Sequence, residues 1–331
     1  MQPFTIATIT DPGAAVAMHA SHPDVAFIAG GTDLIGLMKD GAASPSRLLD
    51  ISLLPDLGGI EMSQDGGLRI GALARMSDVA ADARVRESFP LIAEALLLSA
   101  SGQLRNMASI GGNIMQRTRC AYFRDADNLP CNKRQPGFGC SARHGLNRNQ
   151  AIFGWSDACV AVNPSDLAVA LAALDATVRV RGRDGESAMP FADFHRLPND
   201  TPEQDTVLGR GDLIVAIEIP ASPQNAASHY LKIRDRQSYE FAVVSAAAVV
   251  ALDGRRIRSV RLVMGGVAPK PWRLTAAEQA LAGVSLDDNG RLKSAIALSF
   301  VEARPLTHNA FKVELAQRCA LRALQTAGAR A

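Results

Sequence analysis

The chain has 331 residues, 47% of them hydrophobic, and a formal net charge of +2. That length supports two or three domains with sizeable cores, and the near-neutral balance excludes nucleic acid as a general partner. The longest apolar run, residues 241–252, is too short to cross a bilayer, so no membrane insertion is expected.

The N-terminal stretch MQPFTIATITDPGAAVAM has no basic segment followed by an apolar core, so no signal peptide is expected in it. Residues 25–39, VAFIAGGTDLIGLMK, run from a β-rich segment into the pair Gly30-Gly31, and helical spacing opens at Thr32-Asp33. Paired glycines let backbone approach a ligand closely, and the amides of such a turn favour an anion such as phosphate. The spacing is not the GxGxxG of a Rossmann fold, and an ordinary tight turn accounts for it as well. Residues 46–75 alternate as short strands broken at Pro55, Gly58-Gly59 and Gly66-Gly67, and residues 85–101 read as one helix. A second glycine turn follows, Ser109-Ile110-Gly111-Gly112-Asn113, about eighty residues after the first; two such turns suit the two phosphates of a dinucleotide.

Directly behind it lie four of the five cysteines, Cys120, Cys131, Cys140 and Cys159, separated by ten, eight and eighteen residues. Their sequence neighbours are Arg, Pro, Asn and Gly rather than the apolar company of a buried structural cysteine. A segment this poor in apolar surface needs a cross-link or a metal centre to order it. Disulfides suit small secreted domains and even cysteine counts, and the close CxxC pairs of zinc sites are missing. Eight basic residues (Arg105, Arg117, Arg119, Arg124, Lys133, Arg134, Arg143, Arg148) face two acids, Asp125 and Asp127, and a positive shell suits an anionic iron–sulfur centre. Iron–sulfur, zinc and a solvated basic loop all stay open on these residues alone.

Ser165 is placed to cap a helix at residues 166–174, with a strand at 177–181, a hairpin at Asp184-Gly185 and a strand LIVAIEI ending at Pro220. The composition of residues 220–228, PASPQNAAS, marks a domain boundary near 222. Beyond it an antiparallel meander, with a turn at Asp253-Gly254, precedes helices at 275–282, 292–303 and 309–327, the pattern of a small α+β domain. Cys319 falls on an apolar helical face and reads as core; His308 ties down the start of the last helix.

AGGTDL (29–34), SIGGN (109–113), PSDLAVAL (164–171), IVAIEIP (214–220) and LKIRDR (231–236) occur in the order and spacing of the FAD subunits of the xanthine dehydrogenase or molybdenum hydroxylase family, which the chain resembles over nearly its whole length. The insert TRCAYFRDADNLPCNKRQPGFGC with the later SDAC resembles the branch of bacterial periplasmic aldehyde oxidoreductases whose flavin subunit also carries a [4Fe-4S] cluster. The resemblance implies an α+β chain: an FAD-binding domain of two α/β subdomains over 1–222, with the cysteine insert at about 115–160, then a C-terminal α+β domain over 223–331. It implies that Phe27, Ile28, Ala29, Gly30, Gly31, Thr32, Asp33 and Leu34 wrap the FAD pyrophosphate. Ser109, Ile110, Gly111, Gly112 and Asn113 would add a second set of contacts, with Asp166, Ile214 and Lys232 as later ones, Lys232 near the isoalloxazine end. Locally, Asp166 also reads as a first-turn helix acid and Lys232 as a solvated strand residue. Cys120, Cys131, Cys140 and Cys159 would hold the cluster.

With no HExxH, nucleophile elbow or carboxylate dyad, the chain carries no catalytic residues for an organic substrate. The resemblance implies a heterotrimer in which a molybdenum-cofactor subunit oxidises an aldehyde and a [2Fe-2S] subunit passes electrons to this FAD and on to an external acceptor. It also implies export to the periplasm already folded with a signal-bearing partner; without one the chain stays cytoplasmic. Two other classes stand beside it: a nucleotide-binding scaffold with structural zinc, and a stand-alone flavin reductase.

Overall fold

The computed structural model describes residues 1–125, 129–222 and 226–331. Asp127 and the centre of the expected boundary at 222/223 lie outside these residues.

Three sheets organise the described residues. Strands β1 (Thr5–Thr8), β2 (Val25–Ile28) and β3 (Arg47–Asp50) form a parallel sheet in the order β1-β3-β2. Strands β4 (Ile60–Met62), β5 (Leu68–Gly71), β6 (Thr177–Gly182), β7 (Gly185–Pro190) and β8 (Leu213–Ile219) form an antiparallel sheet in the order β4-β5-β8-β6-β7. Strands β9 (Ala226–Ile233), β10 (Val244–Asp253), β11 (Arg256–Gly265) and β12 (Trp272–Arg273) make the expected antiparallel meander. The β10/β11 turn is at the expected place, with Asp253 opposite Arg256 and Gly254 at φ +55°.

The third sheet explains why the apolar run in β10 shows no polar alternation. Ala247 and Val249 join a core with the helix Asp166–Ala173 and strands β5, β6 and β8, whereas Val244, Ala246, Ala248 and Val250 join a second core under the helix Phe311–Gly328. Successive side chains of a strand point to opposite faces, so a strand covered on both faces must be apolar throughout. The long C-terminal helix buries Ala316, Cys319, Ala320, Ala323, Leu324 and Ala327, spaced at three and four residues, against that sheet. Cys319 is a core residue, as expected, and the His308 amide donates to Asn147 Oδ1 at 2.9 Å just before this helix.

One expected helix divides. Residues 85–101 contain the end of the helix Ala83–Ser88 and a separate helix Pro90–Leu98. Pro90 has no amide proton to continue the first helix and instead occupies the first turn of the second. The second glycine turn is itself a short helix, Ile110–Ile114, with Ser109 Oγ accepting from the Gly112 amide.

Truncating Leu324, fully buried between helix and sheet, to alanine should cost about 2–5 kcal/mol of unfolding free energy. A denaturant midpoint equal to that of the unmodified chain would show that the second core does not depend on this helix face.

Candidate functional site: a dinucleotide cavity beside a four-cysteine chamber

The two glycine turns meet in space. Gly30 packs so tightly on the Met107–Ala108 backbone that a Cβ there would lie 1.8 Å from the Met107 carbonyl oxygen, and Gly31 has φ +67°. Only glycine satisfies both positions, because one has no room for a side chain and the other needs left-handed backbone. Around this junction opens a cavity of about 520 Å³. Phe27, Ile28, Ala29, Gly30, Gly31, Thr32, Asp33 and Leu34 all line it, with Ser109, Gly112, Asn113 and Asp166. Ile110 and Gly111 sit behind the wall, where the Gly111 amide donates to the Ala72 carbonyl at 2.8 Å. Ile214 is buried in β8 within the first core and does not reach the cavity.

Lys232 does not line the cavity either, and it is not the solvated residue its local sequence allows: its side chain is 1% exposed. Its Nζ donates to Asp166 Oδ2 at 2.8 Å and to the Leu98 carbonyl at 3.0 Å. Asp166 also accepts from Ser99 Oγ at 2.9 Å and from the Tyr230 hydroxyl at 2.7 Å. Burial and the Asp166 charge push the Tyr230 hydroxyl well above the usual tyrosine range, so it stays a neutral donor. Ser165 caps the Asp166 helix by accepting from the Ala168 amide, and its hydroxyl donates to Asn113 Oδ1 at 2.6 Å, joining that helix to the second glycine turn.

The four cysteines come together. Cys120, Cys131, Cys140 and Cys159 line one small chamber, with Cys131 and Cys140 opposite each other in an isolated antiparallel bridge. Contrary to the sequence expectation, the chamber is apolar: Leu37, Phe123, Ala142, Val160 and Ala161 pack around it. These residues come from segments distant in sequence, which is why the polar local composition misleads. Burial pushes the thiols of Cys120, Cys140 and Cys159 up, the last to about 12. Such a set can hold thiolates only where bound positive charge compensates them, as in a metal centre. Among the described residues no three His, Cys, Asp or Glu side chains are close enough together to hold a single metal ion.

The basic excess of the insert is also resolved by tertiary contacts. Asp33 Oδ1 lies 2.7 Å from Nη2 of both Arg119 and Arg124, and Asp33 Oδ2 accepts from the Arg117 amide at 2.9 Å. Asp205 pairs with Arg117 and Lys133, and Asp235 with Arg148. Burial pushes the Asp205 carboxyl up, but Lys133 and Arg117 outweigh it and hold the group below its ordinary range. The arginines therefore act as staples to acids outside the insert more than as a free positive shell. Sequence reading gave Arg119 only a place in the basic shell and Arg236 only a place in LKIRDR, and it missed Ser99, Tyr239, Glu240 and Phe241; all of these are on the cavity wall. The only sequence signal for that segment is its aromatic content in a polar loop.

A protein-family profile described as "FAD binding domain in molybdopterin dehydrogenase" matches residues 2–222, and one described as "CO dehydrogenase flavoprotein C-terminal domain" matches residues 229–327. The chain is 44% identical to the aldehyde oxidoreductase FAD-binding subunit PaoB of Escherichia coli, covering 100% of both chains. It is 29% identical to the glyceraldehyde dehydrogenase medium chain of Sulfolobus acidocaldarius, over 79% of this chain and 75% of that one. Its fold matches a chain of the reconstituted CO dehydrogenase from Oligotropha carboxidovorans with a TM-score of 0.79 over 100% of both, at 24% identity.

Two substitutions probe this geometry. Gly30→Ala should remove bound flavin, read as absorbance per folded chain, since the new Cβ must displace the Met107 carbonyl; full flavin content would refute the role of this junction. Asp166→Asn leaves the Lys232 charge buried without its counter-charge and should cost about 3–5 kcal/mol in a denaturant melt. An unchanged midpoint would show that the other acceptor of Lys232 suffices. The two glycine turns, the cavity between them and both profile matches place the chain in the family of FAD-binding flavoprotein subunits of the molybdopterin dehydrogenases.

Proposed function

We propose that the chain is the flavin- and iron–sulfur-bearing electron-transfer subunit of a molybdenum-dependent aldehyde oxidoreductase. It would stand between [2Fe-2S] and molybdenum-cofactor subunits on one side and an external acceptor on the other. The observation that carries the reading is the adjacency of two chambers, one lined by both glycine turns and one by four cysteines, in a chain 44% identical from end to end to an aldehyde oxidoreductase FAD-binding subunit. Likeness to a subunit of an enzyme complex lends nothing to a zinc-bearing scaffold or a stand-alone reductase.

In this reading residues 27–34 with Ser109, Gly112 and Asn113 hold the FAD, and Asp166, fixed by its three side-chain donors, gives the cavity one rigid anionic wall. FAD, when bound, supplies exchange between one-electron and two-electron steps, while the protein sets position and electrostatics. Cys120, Cys131, Cys140 and Cys159 hold a [4Fe-4S] cluster whose main work is to order the insert and a contact with a partner subunit. The complex is exported folded with a signal-bearing partner; recovery of the co-expressed chain only from the cytoplasm would refute that part.

The deciding measurement is FAD, iron and acid-labile sulfide in the chain purified with its co-expressed partners. One FAD with four iron and four sulfide per chain is expected; zinc without flavin would sink the proposal. Cys131→Ser should lower the yield of assembled complex, whereas normal assembly with slowed flavin reduction would place the cluster on the electron path instead.

A further inference from the structure

The insert does more than sit beside the flavin cavity. Arg119, the residue before Cys120, lines both that cavity and an adjoining chamber of about 200 Å³ that extends to Cys120. It is held from two sides, by Asp33 Oδ1 at 2.7 Å from Nη2 and by the Phe241 ring, whose centroid is 4.9 Å from the guanidinium carbon. Nη2 also donates to Gln116 Oε1 at 3.2 Å. Its Nε, by contrast, is buried with no hydrogen-bond partner among the described residues. A guanidinium N–H shielded from water and unmet by protein is a cost that the Asp33 pair and the Phe241 contact must offset.

Asp33 belongs to the first glycine turn, so the carboxylate that positions Arg119 is part of the cavity wall itself. Arg124, which meets the same Asp33 oxygen, lies at the end of the short helix Ala121–Arg124 that follows Cys120 and does not line the cavity. A continuous run of contacts therefore leads from Cys120 through Arg119 and Arg124 to Asp33 and the glycine turn.

We propose that Arg119 is a flavin-positioning residue supplied by the cysteine insert: its guanidinium, on the cavity wall, donates to an acceptor atom of bound FAD, so that filling the cysteine chamber and binding FAD favour each other. This rests on the proposed function. Coupling of this kind is reciprocal, so whatever orders the Cys120 end of the run must tighten flavin binding, and bound flavin must steady the insert. Lysine cannot replace the arginine, because one ammonium cannot stack on Phe241, meet Asp33 and present a further fixed N–H at once.

The test is a flavin titration, followed by fluorescence, of the deflavinated full chain in its complex. Arg119→Gln and Arg119→Lys should each raise the FAD dissociation constant about tenfold, within the range common for coupled sites. Arg119→Gln should also move the flavin midpoint potential negative, which loss of a merely structural contact would not do. Arg124→Gln should weaken binding by a smaller factor. Cys131→Ser should weaken it too, and the Arg119→Gln/Cys131→Ser double variant should bind no worse than the weaker single one. Unchanged affinity in both Arg119 variants, or multiplicative effects in the double variant, would overturn the inference while leaving the proposed function standing. A wild-type complex without flavin or iron would overturn both.

Discussion

One buried carboxylate organises the meeting of the two cores. Asp166 opens a helix of the first core, and its oxygens accept from Ser99 on one side and from Tyr230 and Lys232 of β9 on the other. A buried ion pair is favourable only when its remaining hydrogen-bonding capacity is met, since taking two charges out of water costs several kcal/mol per ion. Here the carboxylate has three side-chain donors, and the ammonium has a second acceptor at Leu98. That saturation fixes the position of the helix start, and the helix start is cavity wall.

The same constraint governs the third sheet. Its β10 strand serves two cores at once, so the C-terminal domain does not hang from a linker but shares a face with the helix that carries Asp166. The flavin cavity lies where these parts converge: the glycine turns come from the N-terminal part, Asp166 from the shared helix, and Arg236, Tyr239, Glu240 and Phe241 from the segment between β9 and β10. Tyr239 takes φ +52°, and the Arg236 guanidinium carbon lies 5.7 Å from its ring centroid while the same arginine pairs with Glu240. Non-glycine residues adopt such backbone rarely, and a loop held there by its own side chains is built for shape.

A second carboxylate, Asp33, does for the insert what Asp166 does for the two cores. In the helix it precedes it makes no side-chain cap, because its oxygens are occupied by Arg117, Arg119 and Arg124. The cysteine segment is thus anchored by charge at one end and by a small apolar cluster around its thiols. Each contribution is modest, and neither is visible in the segment's own sequence.

What the sequence determined by itself was the local chemistry. The glycine pairs, Ser165 as a helix cap, the apolar β10 run, the spacing of Cys319 on its helix and the turn at Asp253-Gly254 are set by backbone sterics and by hydrophobic periodicity, which act between near neighbours. The order of the segments that resemble the family carried the fold class as well. Tertiary structure alone decided which of these features face one another. Lys232 reads as a solvated strand residue and is buried on Asp166; the cysteines stand among polar neighbours in sequence and apolar ones in space; the surplus of arginines is balanced by acids far along the chain. Charge pairing and burial depend on distance in space, and a linear sequence does not carry that distance until the sheets have closed.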